Sequence, residues 1–355
     1  MKRQQRLLVI VGLAISVFFL VIAFNGLSPA LVVDYMRTAD PLPLVGGAAW
    51  YFTAVAVISL RWGFLLRSSK AVRFGMLFRL VCIGYMGNNV YPLRSGELLR
   101  IFLLQVRAGV PMVRATTVVI IERIFDGLVM LTFIVVALAL TGIASPAITA
   151  IVTFAAPLFI AALLIFFALA ARPQALAALI TTVTKVLPVA LRDKVNALGQ
   201  DVIDGLACFR SPADLFGAVI ASYVSWMLEA SVYAIVSWAF GLNISYGLAL
   251  LVVGVVNLAG LIPASPGQFG VYEFFVRTVL IAAGIGQGIA TAYAFTIHLV
   301  IWLPVTLLGF FFLIRQGMGG VGVVAQARQR TTPLEQQTTP LEQRTTPLEQ
   351  RTTPR

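Results

Sequence analysis

The chain of 355 residues is 59% hydrophobic and only 11% charged, and its mean hydropathy of +0.94 excludes an ordinary soluble globular domain. Its formal net charge of +12, from 26 Lys and Arg against 14 Asp and Glu, sits at the ends of apolar segments and in the C-terminal tail. That pattern sets membrane orientation and favours anionic headgroups over nucleic acid. Cys82, Cys208 and the single histidine, His298, have no neighbours at metal-ligand spacing, so neither a zinc site nor a disulfide framework is expected.

An apolar run at 7–27 follows Lys2, Arg3 and Arg6. It is too long for a signal-peptide core and no small-residue cleavage site follows, so it reads as a retained first helix with the N-terminus in the cytoplasm. Residues 28–43, with Asp34, Arg37 and Asp40, read as a loop on the opposite side. A second span at 44–66 ends in Arg61, Arg67 and Lys70, with Arg61 expected to snorkel toward the cytoplasmic interface rather than join the arginines of the clusters below. The next apolar run, 76–91, carries Gly84 and Gly87 and stops at Asn88, Asn89 and Pro92. If it crossed the membrane, the basic stretch 94–114 would lie outside, against the positive-inside rule. A re-entrant hairpin broken at "NNVYP" removes the conflict, and a helix starting near Ser95, whose hydroxyl is expected to cap it, carries the chain back.

Further spans are expected at 118–141, 148–171 and 214–240. The segment 172–213 is too short for a catalytic domain and reads as amphipathic helices at the interface. The region 246–287 breaks at "LIPASPGQFGVYE", which contains Pro263, Pro266, Gly267 and Gly270, and a last span at 290–314 ends at Arg315. The prediction is an all-α polytopic integral membrane bundle over residues 1–316, with 6–8 spans and one or two re-entrant broken hairpins. Either limit is even and leaves both termini in the cytoplasm. Residues 317–355 repeat "TTPLEQQ" and "TTPLEQR" with a proline in each unit, and are expected to form a disordered cytoplasmic tail.

Three clusters can carry function. Arg94, Glu97 and Arg100 lie at the first break, and Glu97, Arg100 and Arg107 share one face of the returning helix. In "IERIFDG" the ionisable Glu122, Arg123 and Asp126 sit inside an apolar span, where such groups face a protein interior or a water-filled path. In "PASPGQFGVYE", Tyr272 and Glu273 follow the second break, with Arg277 at i, i+4 from Glu273. Broken apolar segments at corresponding places in two halves point to a transporter-type site. Two readings of the arginines stand side by side. Glu97, Glu122 and Asp126 can neutralise them in a closed network that locks the hairpin, or the guanidinium groups can bind phosphate in bidentate fashion. His298 reads as a packed or hydrogen-bonded helix residue.

The stretches "GYMGNNVYPLRSGELLR", "ERIFDGL" and "PASPGQFGVYE", in this order, resemble the lysylphosphatidylglycerol synthase transmembrane-region family, also called flippase-like, over about residues 5–315. In that family the domain occurs alone or fused to a soluble aminoacyl-transferase domain, which this sequence is expected to lack. The membrane part of the fused proteins is implicated in moving aminoacylated phosphatidylglycerol between leaflets. Motif by motif, the resemblance implies functional positions at Asn89, Pro92, Arg94, Gly96, Glu97 and Arg100, at Glu122, Arg123 and Asp126, and at Pro266, Gly267, Gly270 and Glu273. One departure stands in the last motif: the family shows Gly-Gly after the proline, whereas here Gly267 is followed by Gln268.

The expectation is a lipid translocase of the cell (inner, cytoplasmic) membrane. Arg94, Arg100 and Arg123 contact a headgroup phosphate, while Glu97, Glu122, Asp126 and Glu273 balance them or bind an amine. Asn88, Asn89, Pro92, Gly96, Pro263, Pro266, Gly267 and Gly270 form the breaks. The expected partners are membrane lipids, chiefly anionic phospholipids, and a separate lipid-modifying synthase. No metal, cofactor, nucleotide-binding motif or catalytic residue is expected. The alternatives are an integral-membrane enzyme or enzyme subunit acting on a lipid or polyprenyl-phosphate substrate, and a scaffold for a separate synthase.

Overall fold

A computed structural model describes residues 3–24, 26–67, 70–91, 95–143, scattered positions between 146 and 184, and 211–315 apart from 261 and 263. Ten helices are continuous among these residues: α1 (Arg3–Phe24), α2 (Pro29–Thr38), α3 (Pro41–Arg67), α4 (Phe74–Val90), α5 (Gly96–Ala108), α6 (Met112–Thr141), α7 (Pro212–Trp238), α8 (Tyr246–Ala259), α9 (Val271–Ala282) and α10 (Gln287–Arg315). A 3-10 turn, Pro266–Gln268, separates α8 from α9, and no strand occurs among the described residues. Met1–Phe312 form one compact unit; a second, Leu313–Arg355, is described only over its helical residues 313–315. The expected span 148–171, the segment 172–213 and the repeat tail fall almost wholly outside the described residues.

Helix starts follow local chemistry. Ser28, Ser211 and Ser245 each accept a hydrogen bond from a first-turn N–H of α2, α7 and α8, and Pro29 and Pro212 stand where a missing N–H costs nothing. The Ser28–Pro29 pair corrects the expectation of a loop at 28–43: the chain turns by 80° after α1 and continues as α2, then enters α3 at Pro41. Four helices, α3, α6, α7 and α10, are long and apolar enough to cross a membrane. Their outward faces carry Leu60, Val135, Ile220, Leu303 and Phe311, all exposed, while the charges described below lie inside. A chain with apolar residues outside and charges inside has hydrocarbon as its solvent.

Between these spans the chain doubles back twice. α4 has 17 residues and α5 has 13, about 25 and 20 Å at 1.5 Å per residue, each short of roughly 30 Å of hydrocarbon. They run antiparallel: Gly96 at the start of α5 packs on Gly84 and Gly87 late in α4, and Gly109 beyond α5 faces Lys70 ahead of α4. A Cβ on Gly96 would overlap the Gly84 carbonyl and the Asn88 backbone nitrogen, so only glycine allows this approach. α8 and α9, with 14 and 12 residues, pack together in the same way around the second break. Its backbone turns through left-handed conformations at Gly267 (φ 71°), Gln268 (φ 61°) and Gly270 (φ 91°). Gln268 is the one non-glycine with positive φ among the described residues, and it stands where the resembled family has its second glycine.

The helices α3–α4–α5–α6, of 27, 17, 13 and 30 residues, are matched by α7–α8–α9–α10, of 27, 14, 12 and 29. The two sets run in opposite directions. Gly47 early in α3 meets Val236 late in α7, Trp50 bonds Ser231, Arg61 bonds Ser222, and Arg67 at the end of α3 reaches Asp214 at the start of α7. Each set also packs on the other in an equivalent way. Gly254 of α8 lies on Ile134 of α6, and Cys82 of α4 lies under Gly309 of α10. Gly254 and Cys82 are both ninth in their helices, and Ile134 and Gly309 both twenty-third. This is an inverted repeat of span, broken hairpin and span.

Candidate functional site

Glu122 and Asp126 share a face of α6 at i, i+4, and α3, α5 and α7 close over them. Arg61 of α3 pairs with Glu122 Oε1 through one nitrogen, and through Nη1 bonds Asp126 Oδ1 at 2.6 Å and Ser222 Oγ at 3.2 Å. Arg100 of α5 donates to Glu122 Oε2 at 2.6 Å, and its guanidinium lies 4.1 Å from the centroid of the Trp62 ring. Trp226 of α7 donates to Asp126 Oδ1 at 2.7 Å. Glu122 thus uses both oxygens, and Asp126 its Oδ1, on donors from three other helices, while the buried Asp126 Oδ2 has no hydrogen-bond partner.

Arg123 differs. Its side chain is 43% exposed and lies 3.5–3.6 Å from Glu97, Glu122 and Asp126, in ion pairs looser than those of its neighbours. It stands at the open edge of a cluster in which Arg61, Arg100 and Arg123 balance Glu97, Glu122 and Asp126. Two buried donors in the cluster, Arg61 Nε and Arg100 Nε, have no hydrogen-bond partner.

The structure thus brings together Glu97, Arg100, Glu122, Arg123 and Asp126, and adds Arg61, Ser222 and Trp226. Arg61 does not snorkel: its side chain is 1% exposed, because two carboxylates await it in the interior. Ser95 does not cap α5 with its hydroxyl; its backbone is already helical (φ −67°, ψ −3°), which turns the side chain away from the first-turn N–H groups. Arg107 is exposed, away from the buried Arg100. Pro92, Arg94 and Pro263 lie outside the described residues.

Glu273 is held elsewhere. Its Oε2 accepts from the Gly270 N–H at 2.6 Å and its Oε1 meets His298 Nδ1 at 2.6 Å, so both oxygens are used at the second hairpin. The imidazole is flanked by Phe269 and Tyr272, with centroids 4.7 and 4.1 Å away. Arg277 turns from Glu273 to Thr291 and Gln287. The two breaks touch: Asn89 donates to Thr306 Oγ1 at 2.8 Å and to the Trp302 carbonyl at 3.4 Å, and Gly267 packs on Trp302 and the Asn89 carbonyl. Asn88 packs its backbone on Gly96. Sequence reasoning also passed over Glu229 of α7, a buried acid; its signal was a carboxylate deep in an apolar span whose other acid, Asp214, lies in the first turn.

The lysylphosphatidylglycerol synthase TM region family matches residues 9–309. Two UPF0104 membrane proteins of Methanothermobacter thermautotrophicus are 23% and 24% identical, over 84% and 87% of this chain and 91% and 94% of theirs. The glycosyltransferase AglD of Haloferax volcanii is 24% identical over 79% of this chain and 49% of its own length. No solved structure matches. With the family matched across both hairpins and nearly all the described helices, the chain belongs to the lysylphosphatidylglycerol synthase TM region family.

Proposed function

We propose that the protein is a lipid translocase that receives the headgroup of an anionic or aminoacylated phospholipid at the open edge of the charged cluster. The observation that carries this reading is the contrast among the arginines. Arg61 and Arg100 are buried and held at hydrogen-bond distance, whereas Arg123 is half-exposed and held at 3.5 Å or more. A phosphate arriving at Arg123 displaces only weak ion pairs and meets a fork suited to bidentate binding. The inverted repeat with two touching breaks supports the reading, since such repeats place sites at the interface of their halves. On this reading the protein acts in the cell membrane with both termini cytoplasmic, and its partners are membrane lipids.

The test is a leaflet-accessibility assay in proteoliposomes with headgroup-labelled anionic and aminoacylated phospholipids. The native chain is expected to speed transbilayer movement, and Arg123→Gln to slow it at least tenfold while the protein stays folded, because an exposed, loosely paired arginine contributes little to stability. No movement of any lipid by the folded native chain overturns the proposal. One observation favours a second reading, an enzyme or enzyme subunit acting on a lipid or polyprenyl-phosphate substrate: the match to a protein named as a glycosyltransferase, over about half its length. Turnover by the purified chain in detergent would decide for it.

A further inference from the structure

Among the described residues outside the charged cluster, one acid–base pair is buried on both sides. Glu273 of α9 is 0% exposed and His298 of α10 is 5% exposed, with Oε1 and Nδ1 2.6 Å apart. Glu273 Oε2 is already taken by the Gly270 N–H at 2.6 Å. An ionised carboxylate only accepts, so the proton between the two sits on Nδ1, and Nε2 is the atom that can gain or lose one. Nε2 makes no hydrogen bond to a described residue. One turn on along α10, on the same face, Trp302 Nε1 is buried and likewise has no partner. The Phe269 ring lies against both residues, with centroids 4.7 Å from His298 and 5.7 Å from Trp302. Two unbonded ring nitrogens thus stand beside the second break, and irregular backbone at membrane depth is tolerated only where it is buried in protein or lines a watery cavity.

The charge of the pair depends on one proton. With Nε2 bare, the pair carries a single net negative charge; with Nε2 protonated, it is an imidazolium on a carboxylate and has none. No described side chain around it supplies another cation. Arg277 turns to Thr291 and Gln287. Tyr272 stacks on the imidazole and bonds the Tyr233 hydroxyl of α7, and Tyr293 of α10 donates to the Tyr233 carbonyl. Glu229 stands one turn before Tyr233 on α7. α1 meets this hairpin with Ser16 and Phe19, α4 meets α10 with Asn89, and α8 carries no acidic or basic side chain. The neighbours are neutral or acidic, so the cation that can reach the pair is a proton from water.

We propose that His298, held by Glu273, is a proton-binding site, and that its proton decides how firmly the second hairpin is tied to α10. Protonated, the tie is an ion pair of no net charge. Bare at Nε2, it leaves one negative charge between α9 and α10, whose burial costs free energy and favours the entry of water. The two breaks touch through Asn89, Gly267 and Trp302, so a loosened second hairpin is felt at the first. The inference rests on the translocase reading for its use, the coupling of lipid movement to a proton, whereas the proton site itself stands apart from that reading.

His298 is the only histidine of the chain, so isotope-labelled histidine read by nitrogen NMR reports this site alone, in the full chain in detergent. Between about pH 5 and pH 9 the native ring is expected to pass from imidazolium to a neutral form protonated on Nδ1. Glu273→Gln, which removes the charge and keeps an acceptor, should move that transition by at least about one pH unit. A ring that keeps one protonation state throughout, or whose neutral form carries its proton on Nε2, overturns the inference. In proteoliposomes, reversing an imposed pH gradient is expected to change the rate of lipid movement severalfold. His298→Gln, whose amide can still donate to Glu273 but exchanges no proton, should lose that sensitivity. A histidine that titrates while lipid movement ignores the gradient overturns the coupling. Titration without lipid movement by the folded native chain overturns the translocase reading and leaves the proton site standing.

Discussion

Replacing Glu122 by alanine tests the charged cluster most directly. Glu122 uses both oxygens, one on Arg61 and one on Arg100 at 2.6 Å, with Arg123 at 3.6 Å. After truncation Arg61 keeps Asp126 at 2.6 Å and Ser222 at 3.2 Å. Arg100 keeps no acidic partner among the described residues, only the face of Trp62 at 4.1 Å. Breaking a buried pair by removing one member costs about 3–5 kcal/mol, and that is the loss expected for unfolding in mixed micelles. The control is Glu97→Ala, which removes a contact of 3.6 Å between side chains 21% and 43% exposed and should cost no more than about 0.5 kcal/mol. Adding Arg100→Met to Glu122→Ala should recover most of the loss, since the stranded charge goes and an apolar chain of similar length replaces it. If Glu122→Ala costs no more than Glu97→Ala, the cluster is hydrated and the reasoning fails.

Two other substitutions probe the hairpins. Gly96→Ala drives a Cβ into backbone atoms of α4, which cannot yield as a flexible side chain does, so a loss of at least about 3 kcal/mol is expected in the same unfolding assay. Glu273→Ala leaves the Gly270 N–H and His298 Nδ1 without their shared partner, at about 1–3 kcal/mol for each buried group. Glu273→Gln, which can still accept from Gly270, should lose less than half as much by thermal melting.

The broken hairpins were legible because their causes are local. Glycines, asparagines and prolines interrupt apolar runs at 84–96 and 263–270, and the excess of basic residues after the first break forbids a full crossing. Glu97, Arg100, Glu122, Arg123 and Asp126 could be grouped because helical spacing places them on shared faces. Arg61 was weighed as a member but read as snorkelling, since its partners lie 61 and 65 residues away and a basic residue near a span end favours that reading. The contact of Glu273 with His298 was out of reach for the same reason: the two are 25 residues apart, while Arg277 stood at the local spacing that helices favour. Helix α2 was missed because a ten-residue helix with two charges lacks the long apolar run used to find spans, although Ser28 and Pro29 marked its start.

The two hairpins occupy equivalent places in the repeat but hold unlike chemistry. At the first, Arg100 of α5 is tied to Glu122 of α6, and the pair is anchored to α3 and α7 through Arg61, Ser222 and Trp226. At the second, Glu273 of α9 is tied to His298 of α10, and the neighbouring Tyr272 reaches Tyr233 of α7. The first tie therefore draws four helices, α3, α5, α6 and α7, onto the carboxylates Glu122 and Asp126, whereas the second joins α9 to α10 and reaches α7 through the Tyr272–Tyr233 hydroxyl pair.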